Sequence, residues 1–220
     1  MDQENLVDLV EFSGDFGRAM RASRGVVVGD NAPEGQCVPE SLKTTWSNTI
    51  PNERSKILNK IADNIEEEPY ELIYFLINEA GKTIQNAIDE IREAVDFLRY
   101  YSNQILKILD TSDLEGPTGE ENLITYTAKG RFLCISPWNF PVAILIGQIS
   151  AALACGNKVI VKPSEHTSIL GYLVVKKFHE LGIPKDALEL ILGDGNYGET
   201  LTKISPCLLY TSPSPRDQEA

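Results

Sequence analysis

Histidine and cysteine are scarce, and their scarcity narrows the chemistry open to this sequence. There are two histidines and four cysteines in 220 residues. Neither His166 nor His179 has a ligating partner at metal-binding spacing. Cys37, Cys134, Cys155 and Cys207 are scattered, with no CxxC pair, which argues against a disulfide framework and against a zinc site. Reduced thiols and no metal are expected. The opening run MDQENLVDLVEF lacks the basic region and apolar stretch of a secretory signal. No window approaches the roughly 20 apolar residues of a membrane span. These absences predict a cytoplasmic protein. Basic residues are also in the minority, 20 Lys and Arg against 32 Asp and Glu. The resulting formal charge of −12 repels phosphodiester backbones and anionic lipid, so nucleic acid is not expected as a partner.

What is present is enough apolar material, 42% of residues, to enclose a core of one or two domains. Residues 1–40 show no sustained period and stay an unassigned leader; SRGVVVGDNAPEGQ mixes a short apolar run with turn formers. Residues 41–110 read as helical. Ile57, Ile61 and Ile65 recur on one face beside Leu58, with Glu66, Glu67 and Glu68 toward water. A second helix is predicted over 70–78, followed by Gly81 where a left-handed cap belongs. A third runs from Thr83 to Ile108, with Ile84, Ile88, Ile91, Val95 and Leu98 as its apolar stripe and Glu90, Arg92 and Glu93 outward. Residues 111–130, which contain DTSDLEGPTGEEN, read as a loop and connecting segment.

Over residues 131–206 the pattern changes to alternation. RFLCIS, KVIVKP and LELILG are strand-like; PVAILIGQISAALACG, HTSILGYLVVKKFHELG and GDGNYGETLTKI are helical. The order β-α-β-α-β-α predicts an α/β fold with parallel strands, right-handed crossovers and helices on both faces. Ligands of such sheets sit beyond the carboxyl ends of the strands. That rule selects the turns SPWNFP, KPSEHT and GDGNYG.

Each turn carries residues with a chemical use and a plain structural alternative. Asn139 offers an amide donor that cannot titrate, suited to an oxyanion developing on a carbonyl, with Pro137 and Pro141 limiting the backbone and Trp138 as a flat wall. Its alternative is to cap the following helix. Lys162 and Glu165 can bind the hydroxyls of an adenosine ribose, or form an ordinary surface ion pair. The glycines of GDGNYG can admit a pyrophosphate, or simply make a turn. Cys134 in a strand and Cys155 at a helix end read as inert packing thiols, and both histidines as structural.

Taken together, EAGKTIQNAIDEIREAVDFLRYY, ISPWNFPVAILIGQISAALACGNKVIVKPSEHT and LILGDG resemble the aldehyde dehydrogenase superfamily across residues 41–204. The first run looks particularly like the glutamate-semialdehyde dehydrogenase portion of the bifunctional proline utilisation A proteins. The resemblance implies a truncated Rossmann-like NAD-binding domain. It implies Asn139 as the side-chain member of an oxyanion hole, with Ile135, Ser136, Pro137 and Trp138 along the cofactor. Lys162 and Glu165 would hold the ribose, Ser164 would be a further cofactor-binding residue, and Gly195 would lie beside the adenine portion of NAD. A carboxylate at Glu165 favours NAD over NADP. The implied reaction oxidises an aldehyde, L-glutamate 5-semialdehyde to glutamate, in a homo-oligomeric full-length enzyme. A broad-range aldehyde dehydrogenase and a non-catalytic nucleotide-binding or scaffold module remain alternatives.

The family's nucleophilic cysteine and general-base glutamate fall beyond this sequence, so the chain is expected to be inactive and, with missing strands, poorly soluble. The segment 207–220 is expected to be an artefactual tail. CLLYTSPSPRD equals a codon-by-codon reading of DNA resembling a transposase sequencing adapter, and Pro213 and Pro215 disfavour a central strand. Resequencing the locus is expected to break the frame near codon 207; an unbroken genomic frame through the tail would refute the adapter reading.

Overall fold

The computed structural model describes residues 45–108, 128, 130–203 and the backbone of 208–211. The leader 1–40, most of the connecting segment 111–130 and the rest of the tail 207–220 lie outside the described residues, as do Cys37 and Cys207.

A 3-10 turn, Trp46–Asn48, leads into α1 (Pro51–Glu67), where Pro51 presets the first turn. Leu58, Ile61 and Ile65 are fully buried, Ile57 is half-buried and Glu66 to Glu68 are exposed, as the periodicity predicted. Helix α2 spans Tyr70–Asn78, and Gly81 follows at φ +69°, the left-handed region where a side chain is strained. Helix α3 spans Ile84–Ile108, and Thr83 Oγ1 accepts from the Asn86 N–H at 3.2 Å.

The α3 stripe needs two corrections. Ile91, Val95 and Leu98 are buried, but Ile84 is 66% and Ile88 37% exposed. Period fixes a helix face; it does not fix how far the covering element reaches. Glu90, expected outward, is 1% exposed because it has backbone donors and a lysine to satisfy it.

The α/β part follows in the predicted order: β1 (Arg131–Ile135), α4 (Ala143–Ala154), β2 (Lys158–Lys162), a 3-10 turn (Glu165–Thr167), α5 (Ser168–Glu180), β3 (Leu188–Leu190) and α6 (Gly195–Lys203). A further strand, β4 (Leu208–Thr211), completes a sheet of order β3-β2-β1-β4. All pairings are parallel, with Ile135 opposite Lys162, Val159 opposite Leu188 and Arg131 opposite Leu208. β4 falls within the segment 207–220 and, among the described residues, pairs with β1 as an edge strand rather than a central one. Pro213 and Pro215 lie outside the described residues.

The chain steps from β1 to β2 to β3 in one direction, then crosses back past β1. Right-handed crossovers therefore place α4 and α5 on one face and α6 on the other. The packing agrees. Cys134, Val159 and Val161 join the main core with α1 to α5, whereas Leu133 and Ile160 pack against Leu201 of α6. Helix α4 lies almost wholly in that core, with Leu145, Ile146, Ile149 and Leu153 fully buried. Its last carbonyls are held from the helical layer: Trp46 Nε1 donates to Leu153 O at 2.8 Å, and Arg54 Nε to Ala154 O at 2.9 Å.

Helix α5 lies so close to the end of β2 that a Cβ on Gly171 would stand 2.4 Å from Pro163 Cγ. Gly171→Ala is expected to destabilise the chain by about 1–3 kcal/mol through overpacking, seen as a lower denaturant midpoint at unchanged slope. A midpoint equal to that of the parent would show that the turn gives way freely.

Candidate functional site

The sheet reverses its strand order at β1, where ligand crevices form in folds of this kind. A crevice of about 540 Å³ opens there. Ile135, Ser136, Pro137 and Trp138 line it from the end of β1, and Lys162, Ser164 and Glu165 from the end of β2. Helix α6 contributes Gly195, Gly198, Glu199 and Thr202. All the residues expected along a cofactor thus share one cavity. The last three were not anticipated, although Gly195, Gly198, Glu199 and Thr202 step by three, one and three along a single helix face, a legible signal.

Asn139 stands immediately after Trp138, half-buried, and is not part of that lining. The helix-capping alternative does not hold for it. The N-cap position of α4 is Val142, with no side-chain cap, and the Asn139 Oδ1 is buried without a partner among the described residues. Its loop starts firmly, since the Ser136 N–H donates to Lys162 O at 3.2 Å.

Lys162 and Glu165 do not form an ordinary surface pair. Lys162 is 3% exposed, and its ammonium lies 3.9 Å from Glu165 Oε2, while donating to Pro163 O at 3.3 Å. Burial pushes the Lys162 pKa down, and the charges of Glu165 and Asp194 pull it partly back. The Ser164 Oγ accepts from the His166 N–H at 3.3 Å and so closes the 3-10 turn.

The glycine turn resolves differently from the pyrophosphate reading. Asp194 Oδ1 accepts from the Asn196 and Tyr197 N–H groups at 3.0 and 3.3 Å, so a carboxylate already holds the start of α6. A phosphate there would meet like charge. Gly193 is a packing requirement, because a Cβ would lie 2.7 Å from the Tyr197 ring, whereas a Cβ on Gly195 would meet nothing within 4 Å.

Known proteins bear on this geometry. The model of the aldehyde dehydrogenase family matches residues 38–206. The chain belongs to that family. It is 43% identical over 150 residues to the bifunctional protein PutA of Salmonella typhimurium, covering 68% of this chain and 10% of that protein. Against the 1-pyrroline-5-carboxylate dehydrogenase of Geobacillus thermodenitrificans it is 36% identical over 181 residues, 79% of this chain and 35% of the relative. A crystal structure of a Bradyrhizobium japonicum proline utilization A (PutA) variant superposes with a TM-score of 0.72 at 43% identity, over 76% of this chain and 17% of that one. The chain therefore spans between about a tenth and about a third of the length of these relatives.

The family uses NAD(P). The crevice fits such a group: it has open space at Gly195, a buried Ser136 Oγ without a partner among the described residues, and a buried ammonium only loosely matched by its neighbours. No group of His, Cys, Asp and Glu among the described residues could hold a metal ion, and no described helix is long and apolar enough to cross a membrane. His179 Nδ1 pairs with Ile183 O at 2.9 Å, a structural contact. Cys134 is buried in the core, but Cys155 is exposed rather than packed; partial burial of its thiol pushes the pKa up, against the pull of Arg54. A raised thiol pKa lowers the thiolate fraction and so disfavours nucleophilic use.

Two carboxylates behind the site were missed. Glu90 Oε1 accepts from the Val142 and Ala143 N–H groups at 2.8 and 3.1 Å, at the start of α4. The two oxygens of Glu79 accept from the Ile169 and Leu170 N–H groups at 2.8 and 2.9 Å, at the start of α5. Their sequence signal is weak, because each reads as a polar residue in or beside a helix. Burial raises the Glu79 pKa from its ordinary 4.5, and the two backbone bonds pull it partly back. The folded chain thus holds that proton more tightly than the unfolded one, so the contribution of Glu79 to stability is fullest below the unfolded value and declines as pH rises through the folded one. The stability margin of the parent over Glu79→Gln is expected to narrow between pH 4 and pH 7 in paired urea titrations, pH values chosen to bracket an ordinary and a raised carboxyl. A margin that widens would contradict this assignment.

Proposed function

We propose that the complete protein oxidises L-glutamate 5-semialdehyde to L-glutamate with NAD, and that this chain supplies its dinucleotide crevice and one donor of the oxyanion hole. The observation that carries the reading is the gathering of Lys162 and Glu165 with the 135–138 segment around one crevice, beside Asn139, where the strand order reverses. The substrate rests on relatives named as 1-pyrroline-5-carboxylate dehydrogenase and bifunctional PutA.

Each residue has a physical task in this reading. The Glu165 carboxylate accepts hydrogen bonds from ribose hydroxyls, and the Lys162 ammonium, already desolvated, donates to the same sugar. Trp138, 57% exposed, gives one wall a flat apolar face. NAD, when bound, accepts the hydride removed from the aldehyde carbon. The Asn139 amide donates to the carbonyl oxygen as negative charge develops there, which lowers the barrier most where water is excluded. No residue of the crevice lining is proposed as the nucleophile, so the chain alone is expected to turn over no aldehyde.

Charge supports NAD over NADP. Among the described lining residues Lys162 is the sole cation, against Glu165 and Glu199, with Asp194 beside them. A 2′-phosphate would add two negative charges to that setting. Titration of NAD and NADP, followed through Trp138 emission with the buried Trp46 as internal reference, should show NAD binding at least about tenfold more tightly, or about 1.4 kcal/mol. Glu165→Gln should shrink the difference. Tighter binding of NADP would overturn the cofactor assignment.

A further inference from the structure

A short polar network connects the first helices to the loop that bears Trp138 and Asn139. Gly81, at positive φ, turns the chain back after α2, and the Lys82 N–H donates to Leu76 O at 3.0 Å. This anchors the Lys82 backbone. Its ammonium then reaches two partners at once. It lies 2.6 Å from Glu90 Oε2 and 4.0 Å from the centroid of the Phe140 ring. The other Glu90 oxygen holds the Val142 and Ala143 N–H groups. Residues 140, 142 and 143 are thus fixed by two side chains that touch neither the crevice nor each other's helix ends. Lys82 is 12% and Glu90 1% exposed, so their ion pair works in a poorly screened setting, while the Phe140 ring, 41% exposed, is held from its inner face.

We propose that Lys82 and Glu90 are positioning residues that set the direction of the Trp138–Asn139 segment toward the crevice, a role that rests on the dinucleotide reading above. The division of labour is specific. Glu90 fixes the start of α4 by accepting backbone hydrogen bonds, which any neutral acceptor of the same shape can do in part. Lys82 fixes the Phe140 ring, and only a cation can hold both the ring face and the carboxylate. Pro137 and Pro141 bracket the segment and leave its backbone few alternatives once Phe140 is pinned. Releasing the ring therefore frees the two residues just before it while the sheet stays folded.

Three variants separate positioning from bulk stability: Lys82→Met, Lys82→Arg and the double variant Lys82→Met with Glu90→Gln. Lys82→Met strands a buried carboxylate and so lowers Tm as well. The double variant removes the stranded charge and keeps an amide oxygen for the α4 donors, so its Tm should return close to that of the parent. Two readouts are taken on the whole chain: hydrogen exchange of residues 139–143 without ligand, and NAD quenching of Trp138. Lys82→Met and the double variant should both speed exchange over 139–143 and weaken NAD binding by about tenfold, the scale expected for a displaced contact. Lys82→Arg, which keeps the cation, should restore both readouts.

If the double variant recovers NAD affinity together with Tm, the pair is merely structural and the proposal falls. Unchanged exchange over 139–143 in Lys82→Met overturns it equally, with or without a nucleotide. If the parent chain itself fails to bind NAD, the dinucleotide reading fails first, and this role for the clamp falls with it.

Discussion

Two glutamates from the helical layer hold the amino ends of the two helices that follow the ligand loops, and the placement of the crevice depends on these contacts. The first turn of any helix exposes N–H groups with no partner inside the helix. In α4 those groups are buried and in α5 partly buried, and Glu90 and Glu79 meet them across the domain. A hydrogen bond of this kind contributes about 0.5–1.5 kcal/mol net, and its acceptor works whether or not the carboxyl is ionised. Removing either glutamate leaves buried donors unmatched, which costs more than the bond itself contributed. Trp46 and Arg54 do the same for the other end of α4. That helix is therefore fixed at both ends, and the loop entering it has little freedom to drift.

The α/β order, the three strand ends and the residues of the SPWNFP and KPSEHT turns were legible in the sequence, because each rests on local pattern. Helix α2 and Gly81 were legible for the same reason: a cap needs a left-handed residue at a defined offset. The misjudged positions depend on distant neighbours. Glu90 looks solvent-facing by period, and it is buried only because a helix start some fifty residues later needs an acceptor. Ile84 and Ile88 look like core by the same count and stay exposed. Leu208–Thr211, inside the segment that reads as an adapter-like tail, pairs with β1 at the sheet edge, a contact that an apolar, β-prone sequence of any origin can make. The crevice-lining face of α6 was readable and overlooked.

The crevice is also electrostatically lopsided. The one cation among its described lining residues is buried and its carboxylates lie closer to water, which is the charge pattern behind the proposed preference for NAD. The carboxylate of Asp194 occupies the helix start where many nucleotide folds place phosphate. In the proposed reading, recognition falls to side chains at strand ends rather than to a glycine-rich backbone nest.

Because α4 and α5 receive their terminal acceptors from elsewhere, the loops in front of them carry no such duty. In most helices the residue at the entrance spends its side chain on its own backbone. Here Val142 can be aliphatic and Thr167 leaves its hydroxyl out of any cap. Side chains at 136 and 139 can thus change without disturbing how α4 begins, whereas Ser164, whose hydroxyl accepts from the His166 N–H, cannot change without loosening the turn that leads into α5.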